Sequence, residues 1–295
     1  MLPERCGLCP RRCGANRRAG EKGLCGAGDE LKAARAALHH WEEPCLSGEA
    51  GSGTVFFSHC SLRCVYCQNR EISRGEAGRA ITWERLSEIF LELQAAGALN
   101  VNLVTPTHYL PFIFPALERA KKRGLTVPVV YNTSGYELPE VIRALDGLVD
   151  IYLPDFKYVS PELSLRYSGA ADYFKYASAA LSEMVRQAGK PVFRGDILQR
   201  GVIVRHLCLP GCLWDSRAVL RHLWETHGSR IYISIMSQFT PMNLSAYPEL
   251  NRRVAPEEYE ALVDYAVDLG IEQGFIQEGE AASESFVPPF DLTGV

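Results

Sequence analysis

Apolar positions along the chain alternate between two periods. From Thr82 onward, Leu86, Ile89, Phe90 and Leu93 fall at i, i+3, i+4 and i+7, the stripe of an amphipathic helix. Thr82 suits its N-cap and Gly97 its end. On either side lie short β-rich runs at 54–58 and 99–104, which read as buried strands. The alternation continues with a helix from about 112 to 122 closed by Gly124, a strand at 127–131, a helix at 138–145 and a strand at 149–153. A longer helix carries Ala177, Leu181, Met184, Val185 and Ala188 on one face. Strands at 201–207 and 230–235 flank a helix at 215–227. A last helix starts at Pro256, where the missing N–H costs nothing, and is expected to bury Tyr259, Leu262, Val263, Ala266 and Val267. Phe275 to Gln277 is a candidate final strand.

Six strands in β-then-α order imply an α/β fold with a parallel sheet. Right-handed crossovers close such a sheet toward a barrel or wind it doubly. Either way the chemistry belongs beyond the carboxyl ends of the strands. Residues 1–45 break the pattern. CGLCPRRCGANRRAGEKGLCG has little apolar periodicity and is expected to be a loop-rich knot held by a metal. A boundary is expected near Glu43 and Pro44, followed by a Gly/Ser turn from Ser47 to Gly53. The organisation is therefore 1–45, a Cys-rich segment; 46–250, the core; and 251–295, a C-terminal helix and extension.

Composition narrows the classes. Of 295 residues 47% are apolar and 22% charged, which excludes disordered and collagen-like chains. The net charge of −4 demands no polyanion partner. Residues 1–35 hold eight Lys and Arg against four Asp and Glu, so the remainder carries the negative excess. These cations either face nucleic acid or offset a cluster of thiolates; the second reading is preferred, and no nucleic-acid partner is expected. The start lacks the apolar region of a signal peptide, and no run of about 18 apolar residues exists. A cytoplasmic protein with no membrane span is expected. In that setting ten cysteines read as metal ligands or redox groups, not disulfides.

The most informative segment is HCSLRCVYCQ, in which Cys60, Cys64 and Cys67 have the spacing C-x3-C-x2-C directly after a strand. Three thiolates hold three irons of a 4Fe–4S cluster, which ordinarily takes four cysteines, and leave one iron open to a ligand. The alternative is a structural zinc site completed by His59 or Cys45; zinc prefers C-x2-C pairs, and the spacing and strand placement favour the cluster. Cys6, Cys9, Cys13 and Cys25 supply four further thiolates, enough for zinc or a second cluster.

The segment resembles the radical S-adenosylmethionine signature, C-x3-C-x-aromatic-C, with Tyr66 as the aromatic. Within that superfamily the chain looks closest to the pyruvate formate-lyase activating enzyme group, in its relatives with a Cys-rich N-terminus. EEPCLSG, GSGTVFFSHCSLRCVYCQN, RHLCLPG, SQFTP and FVPPFD carry the likeness. The resemblance implies an incomplete (β/α)6 TIM-like barrel, with S-adenosylmethionine chelating the open iron through its amino and carboxylate groups. It implies one-electron reductive cleavage to a 5′-deoxyadenosyl radical, with a flavodoxin- or ferredoxin-type donor. Hydrogen abstraction from a glycine of a partner protein is implied as the outcome. The alternatives are modification of a peptide or small molecule, or a zinc-stabilised nucleic-acid-binding module.

Carried over by resemblance, Thr105 and Thr107 stand where the family often has Gly-Gly-Glu for the methionine amino group, a departure from its pattern. Asn132, Thr133 and Ser134 correspond to a polar turn that binds the nucleoside or methionine moiety. Asp155 and Lys157 resemble the family's Asp-x-Lys facing the active site, and a mutual ion pair or a ligand contact is expected of them. His206 is expected near the cofactor carboxylate or ribose, and Gln238 toward substrate. Cys208 and Cys212 are expected to be small buried side chains, and Cys45 a buried thiol close to the three-cysteine loop.

Overall fold

The computed structural model describes residues 2–276 and 287–295. After a loop-rich start come β1 (Leu31–His39), the short helix α1 (Pro44–Ser47), β2 (Ser52–Phe57), α2 (Arg70–Arg74) and β3 (Arg79–Ile81). Then follow α3 (Trp83–Ala95), β4 (Val101–Val104), α4 (Leu110–Lys122), β5 (Val129–Thr133), α5 (Pro139–Arg143) and β6 (Ile151–Pro154). Two helices, α6 (Pro161–Ser168) and α7 (Tyr173–Ala188), precede β7 (Val192–Arg194) and the long β8 (Ile197–Leu207). The described chain continues with α8 (Leu213–His227), β9 (Tyr232–Met236), α9 (Pro256–Asp268) and β10 (Gly274–Ile276).

The strands form one sheet in the order β10-β9-β8-β6-β5-β4-β2-β1-β3, with β7 paired to β8. From β2 to β10 along this order every pairing is parallel, as the β-then-α alternation requires. β1 and β3 are antiparallel additions at one edge. β1 was not anticipated: LKAARAALH is made of good helix formers, and its ladder with β2 overrides that preference. The C-terminal residues pair back onto it, Leu292 N–H to Ala34 at 3.0 Å and Ala36 N–H to Thr293 at 2.8 Å.

Local signals placed the helices. The Thr82 hydroxyl accepts from the Arg85 amide at 3.1 Å, capping α3. Ser160 does the same for α6, accepting from Leu163 at 3.2 Å, with Pro161 in the first turn. The apolar stripe of α7 is buried as expected, and Met184 and Leu181 lie in the larger core with Val219, Leu220 and Leu223 of α8. Each such side chain contributes about 1.5–3 kcal/mol by leaving water. In α9 the expected face is narrower: Leu262 and Ala266 are buried, but Val267 is 68% exposed. Val267 lies five residues past Leu262, about 140° around the helix, which turns it to solvent. Gln277 of the expected last strand lies outside the described residues.

Candidate active site

The chain leaves β2 and curls at once. His59 (φ +73°) and Arg63 (φ +57°) take the left-handed conformation, turning 59–67 into a tight loop. The His59 ring packs against Gly75, where an added Cβ would lie 2.1 Å from its Cε1, so only glycine fits. Each loop sulfur has a donor. The amides of Leu62 and Arg63 point at Cys60 Sγ at 3.4 and 3.5 Å. Ser168 Oγ donates to Cys64 Sγ at 3.1 Å, and the Asn69 amide serves Cys67. Because the Ser168 proton goes to sulfur, Tyr158 must donate to Ser168 (2.9 Å) and Tyr66 to Tyr158 (2.6 Å). This relay of hydroxyls ends on Cys64. Burial pushes the Cys60 thiol up to about 12 and raises Cys67 as well.

The loop forms one wall of a cavity of about 640 Å³ at the carboxyl ends of the strands. That is within the range of small-molecule and cofactor pockets. Cys60, Cys64, Tyr66 and Cys67 line it on one side. Opposite are Thr105 after β4, Asn132 to Ser134 at the end of β5, Asp155 and Lys157 after β6, and Gln238 after β9. Lys157 Nζ meets Asp155 Oδ2 at 2.7 Å, the mutual pair expected of them. Burial alone would lower the Lys157 ammonium, but the Asp155 carboxylate and nearby Cys64 hold it well above its ordinary value. The turn after β5 is fixed by Gly135 (φ +78°), where a Cβ would lie 2.2 Å from the Asp155 carbonyl. The Gln238 carbonyl accepts from Gln68 at 2.6 Å, tying the β9 end to the loop.

Two expected residues do not line this cavity. His206 is buried, but strand alternation turns it away while its neighbours Arg205 and Leu207 face in. Its Nδ1 bonds the Phe156 carbonyl at 2.8 Å and its Nε2 has no partner. Thr107 is also buried; its hydroxyl donates to Glu137 Oε1 at 2.5 Å, as does that of Thr133. Cys45 is buried among Leu46, Val130, Leu153, Leu198 and Ile203. Cys208 and Cys212 are buried in the main core, where desolvation raises both thiols.

Residues 54–211, more than half of the chain, match the Radical SAM superfamily. The chain belongs to this superfamily. Membership implies a 4Fe–4S cluster and S-adenosylmethionine. An uncharacterized protein of Methanocaldococcus jannaschii is 29% identical over 273 residues, covering 88% of this chain and 74% of the relative. A second uncharacterized protein of that organism is 25% identical over 203 residues, 63% of this chain and 56% of its own. Among solved structures, Streptococcus suis SuiB bound to S-adenosylmethionine superposes with a TM-score of 0.50 at 12% identity. That match covers 75% of this chain and 48% of SuiB, so the chain spans about half of SuiB's length. Methylornithine synthase (PylB) gives 0.50 at 15% identity, with 79% and 67% covered. At these identities the likeness is one of fold, the radical SAM type of partial barrel.

The residues present fit the superfamily's cofactors. Among the described residues no three His, Cys, Asp or Glu converge as ligands of a single metal ion would. One zinc would draw its sulfurs to within about 4 Å of each other, given Zn–S of about 2.3 Å. A cubane makes no such demand, because each thiolate takes its own iron. Donors already placed on all three sulfurs are what a cluster-bound thiolate uses, and they tune it.

Sequence reasoning missed Glu42, Glu43 and Arg205, which also line the cavity. Arg205 Nε bonds Glu43 Oε1 at 2.8 Å, and its Nη2 reaches both Glu42 and Glu43. Asn102 holds the other Glu42 oxygen at 2.7 Å. Burial would raise the Glu43 carboxyl, but the Arg205 guanidinium holds it below its ordinary value. Glu137, one layer behind Thr133, was missed too. Ser168 was missed with its whole helix, although Ser160-Pro161 is a legible cap followed by a first-turn proline.

Proposed function

We propose that this chain is a radical SAM enzyme in which Cys60, Cys64 and Cys67 hold the 4Fe–4S cluster and the adjoining cavity receives S-adenosylmethionine. One observation carries the reading: three loop thiols, each served by a donor, line a cavity at the carboxyl ends of a parallel sheet. Cys60, Cys64 and Cys67 would hold the cluster, which when bound would supply the one-electron reduction of S-adenosylmethionine that makes hydrogen abstraction from substrate possible. The chain's own residues do the rest. The Lys157 ammonium offsets thiolate charge, and Asp155 fixes it in place. Thr105, Asn132, Thr133 and Ser134 present hydroxyls, an amide and backbone groups to the polar ends of S-adenosylmethionine. The Tyr66–Tyr158–Ser168 relay delivers a hydrogen bond to Cys64.

The substrate in this reading is a protein or peptide, and the reaction hydrogen abstraction from a partner's backbone glycine. Support comes from the sequence likeness to activating enzymes in RHLCLPG and SQFTP. SuiB, of similar fold, has been crystallised with its precursor peptide SuiA. A flavodoxin- or ferredoxin-type protein supplies the electron.

The test is anaerobic purification with iron and sulfide analysis. Dithionite and S-adenosylmethionine are then added, and 5′-deoxyadenosine is measured by mass spectrometry. The wild type should form it, and Cys60→Ala, Cys64→Ala and Cys67→Ala should each abolish it. Undiminished product in those variants overturns the ligand assignment. Anaerobic co-purification followed by radical spectroscopy on the captured protein tests the glycine step.

A further inference from the structure

The N-terminal knot is built against the three-cysteine loop. Three of its thiols lie close together: a Cβ added at Gly23 would lie 3.3 Å from Cys25 Sγ and 3.4 Å from Cys13 Sγ, and the Cys6 thiol bonds Cys13. Cys6, Cys9 and Cys25 are buried, yet all four are free thiols. Backbone amides point at their sulfurs, Ala27 to Cys25 at 3.4 Å, Arg11 to Cys9, and Ala15 and Leu24 to Cys13. Between residues 6 and 25 the regular structure is a three-residue turn of 3-10 helix, Arg17–Ala19, so no core of the segment's own holds it in shape. Four buried, unoxidised sulfurs cradled by N–H groups in a coreless loop are the donor set of an all-thiolate metal site. The spread noted for the three-cysteine loop applies here as well: these four do not converge on single-ion geometry.

Arg11 joins this knot to the active-site loop. Its amide bonds Cys9 of the knot, while its guanidinium reaches four carbonyls elsewhere. Nε donates to Ser61 at 3.1 Å, Nη2 to Ser168 at 2.7 Å and to Leu62 at 3.4 Å, and Nη1 to Gly169. Ser61 and Leu62 lie between Cys60 and Cys64, and Ser168 is the residue whose hydroxyl bonds Cys64 Sγ. The guanidinium also stacks over Tyr136, 5.3 Å from the ring centroid. Arg63 makes a second tie, from the loop to the Leu24 carbonyl beside Cys25. Arg11 stands two residues from both Cys9 and Cys13, so the fork is aimed only while the knot keeps its shape.

We propose that Cys6, Cys9, Cys13 and Cys25 form a second, all-thiolate metal centre, and that Arg11 transmits its occupancy to the Cys60–Cys67 loop as a positioning residue. The second half rests on reading that loop as the cluster loop. At this spread four thiolates favour a second cubane, in which each takes its own iron, over one zinc, and analysis of the metal separates the two.

The full chain, purified anaerobically, is analysed for iron, sulfide and zinc. Four irons with one zinc, or eight irons, support the centre; four irons without zinc overturn it. Arg11→Ala is then compared with Arg12→Ala, an exposed neighbour paired with Glu140. Amide exchange is followed by mass spectrometry over residues 60–68 before cluster loading. Exchange there should quicken roughly tenfold or more in Arg11→Ala, since even one net hydrogen bond is worth about that factor. After loading, the spectrum of the reduced cluster should shift, and S-adenosylmethionine cleavage without substrate should fall roughly 10- to 100-fold. Millimolar guanidinium should restore part of both, which it would not do for a misfolded protein. Cys9→Ser with Cys25→Ser should lose the N-terminal metal and quicken exchange at 60–68 in the same way. If that variant does not fold, the Arg11 comparison decides. Exchange and spectrum equal to those of Arg12→Ala overturn the coupling. A wild type that makes no 5′-deoxyadenosine defeats the functional reading instead, while the exchange result stands apart from it.

Discussion

Glu137 is a buried carboxyl with an unbalanced environment. Two threonine hydroxyls donate to its Oε1, from Thr107 and Thr133, while Oε2 is buried with no partner. Burial raises it from 4.5 to about 7, and the hydroxyls offset only part of that. A raised acid stabilises the fold while protonated. Its contribution is fully present below pH 4.5 and is lost as pH rises toward and through 7. A difference of about 2.5 units corresponds to roughly 3 kcal/mol in total. Glu137→Gln is neutral at every pH and keeps the oxygen that both hydroxyls use. The variant should therefore gain stability relative to wild type by about 2.5 kcal/mol between pH 5 and pH 8. Urea unfolding of both proteins at matched pH, under anaerobic conditions, measures the difference, and groups common to both cancel. Parallel stability curves across that range would refute the argument that Glu137 is desolvated and uncompensated.

Three other perturbations test the site. Gly135→Ala puts a Cβ 2.2 Å from the Asp155 carbonyl at a φ of +78°, so the β5 turn must move; a cost above about 2 kcal/mol and weakened S-adenosylmethionine binding should appear in calorimetry. Arg205→Met leaves Glu42 and Glu43 buried without their cation and should cost about 3–5 kcal/mol in urea unfolding, most of it recovered by adding Glu42→Gln and Glu43→Gln; absence of recovery would show that the charges are not what matters. Ser168→Ala removes the hydroxyl on Cys64 and should make the cluster harder to reduce, read as a more negative midpoint potential in an anaerobic titration, with Tyr158→Phe shifting it less.

Most of the barrel was legible because its signals are local. A helix stripe such as Leu86, Ile89, Phe90 and Leu93 declares itself within eight residues, and all four are buried. β1 failed that test for a physical reason. Alanine, leucine, lysine and arginine favour a helix when isolated, and only the ladder from Ala33↔Phe57 to His39↔Ser52 makes the segment a strand. The N-terminal segment thus enters the same sheet as the barrel strands, and a boundary read from composition near Glu43 has no counterpart in the strand pairing.

The site divides along the same line. Cys60, Cys64 and Cys67 form a local motif after a strand, and spacing alone brought them out. The residues that support them are distant in sequence: Ser168 lies 104 positions from Cys64, Arg11 lies 157 from Ser168, and Glu42 lies 163 from Arg205. No window-based reading joins such pairs, and type alone misleads within them. In the dipeptide Arg205-His206 the histidine drew attention as the more versatile catalyst. Strand alternation sends it away from the cavity and gives that place to the arginine. A one-residue difference of face thus decides which of two adjacent side chains lines the cavity. It also explains a charge that composition left unplaced: Glu42 and Glu43 are acidic residues in a loop by sequence, but in the fold they are the counterions of an arginine that the sheet points inward.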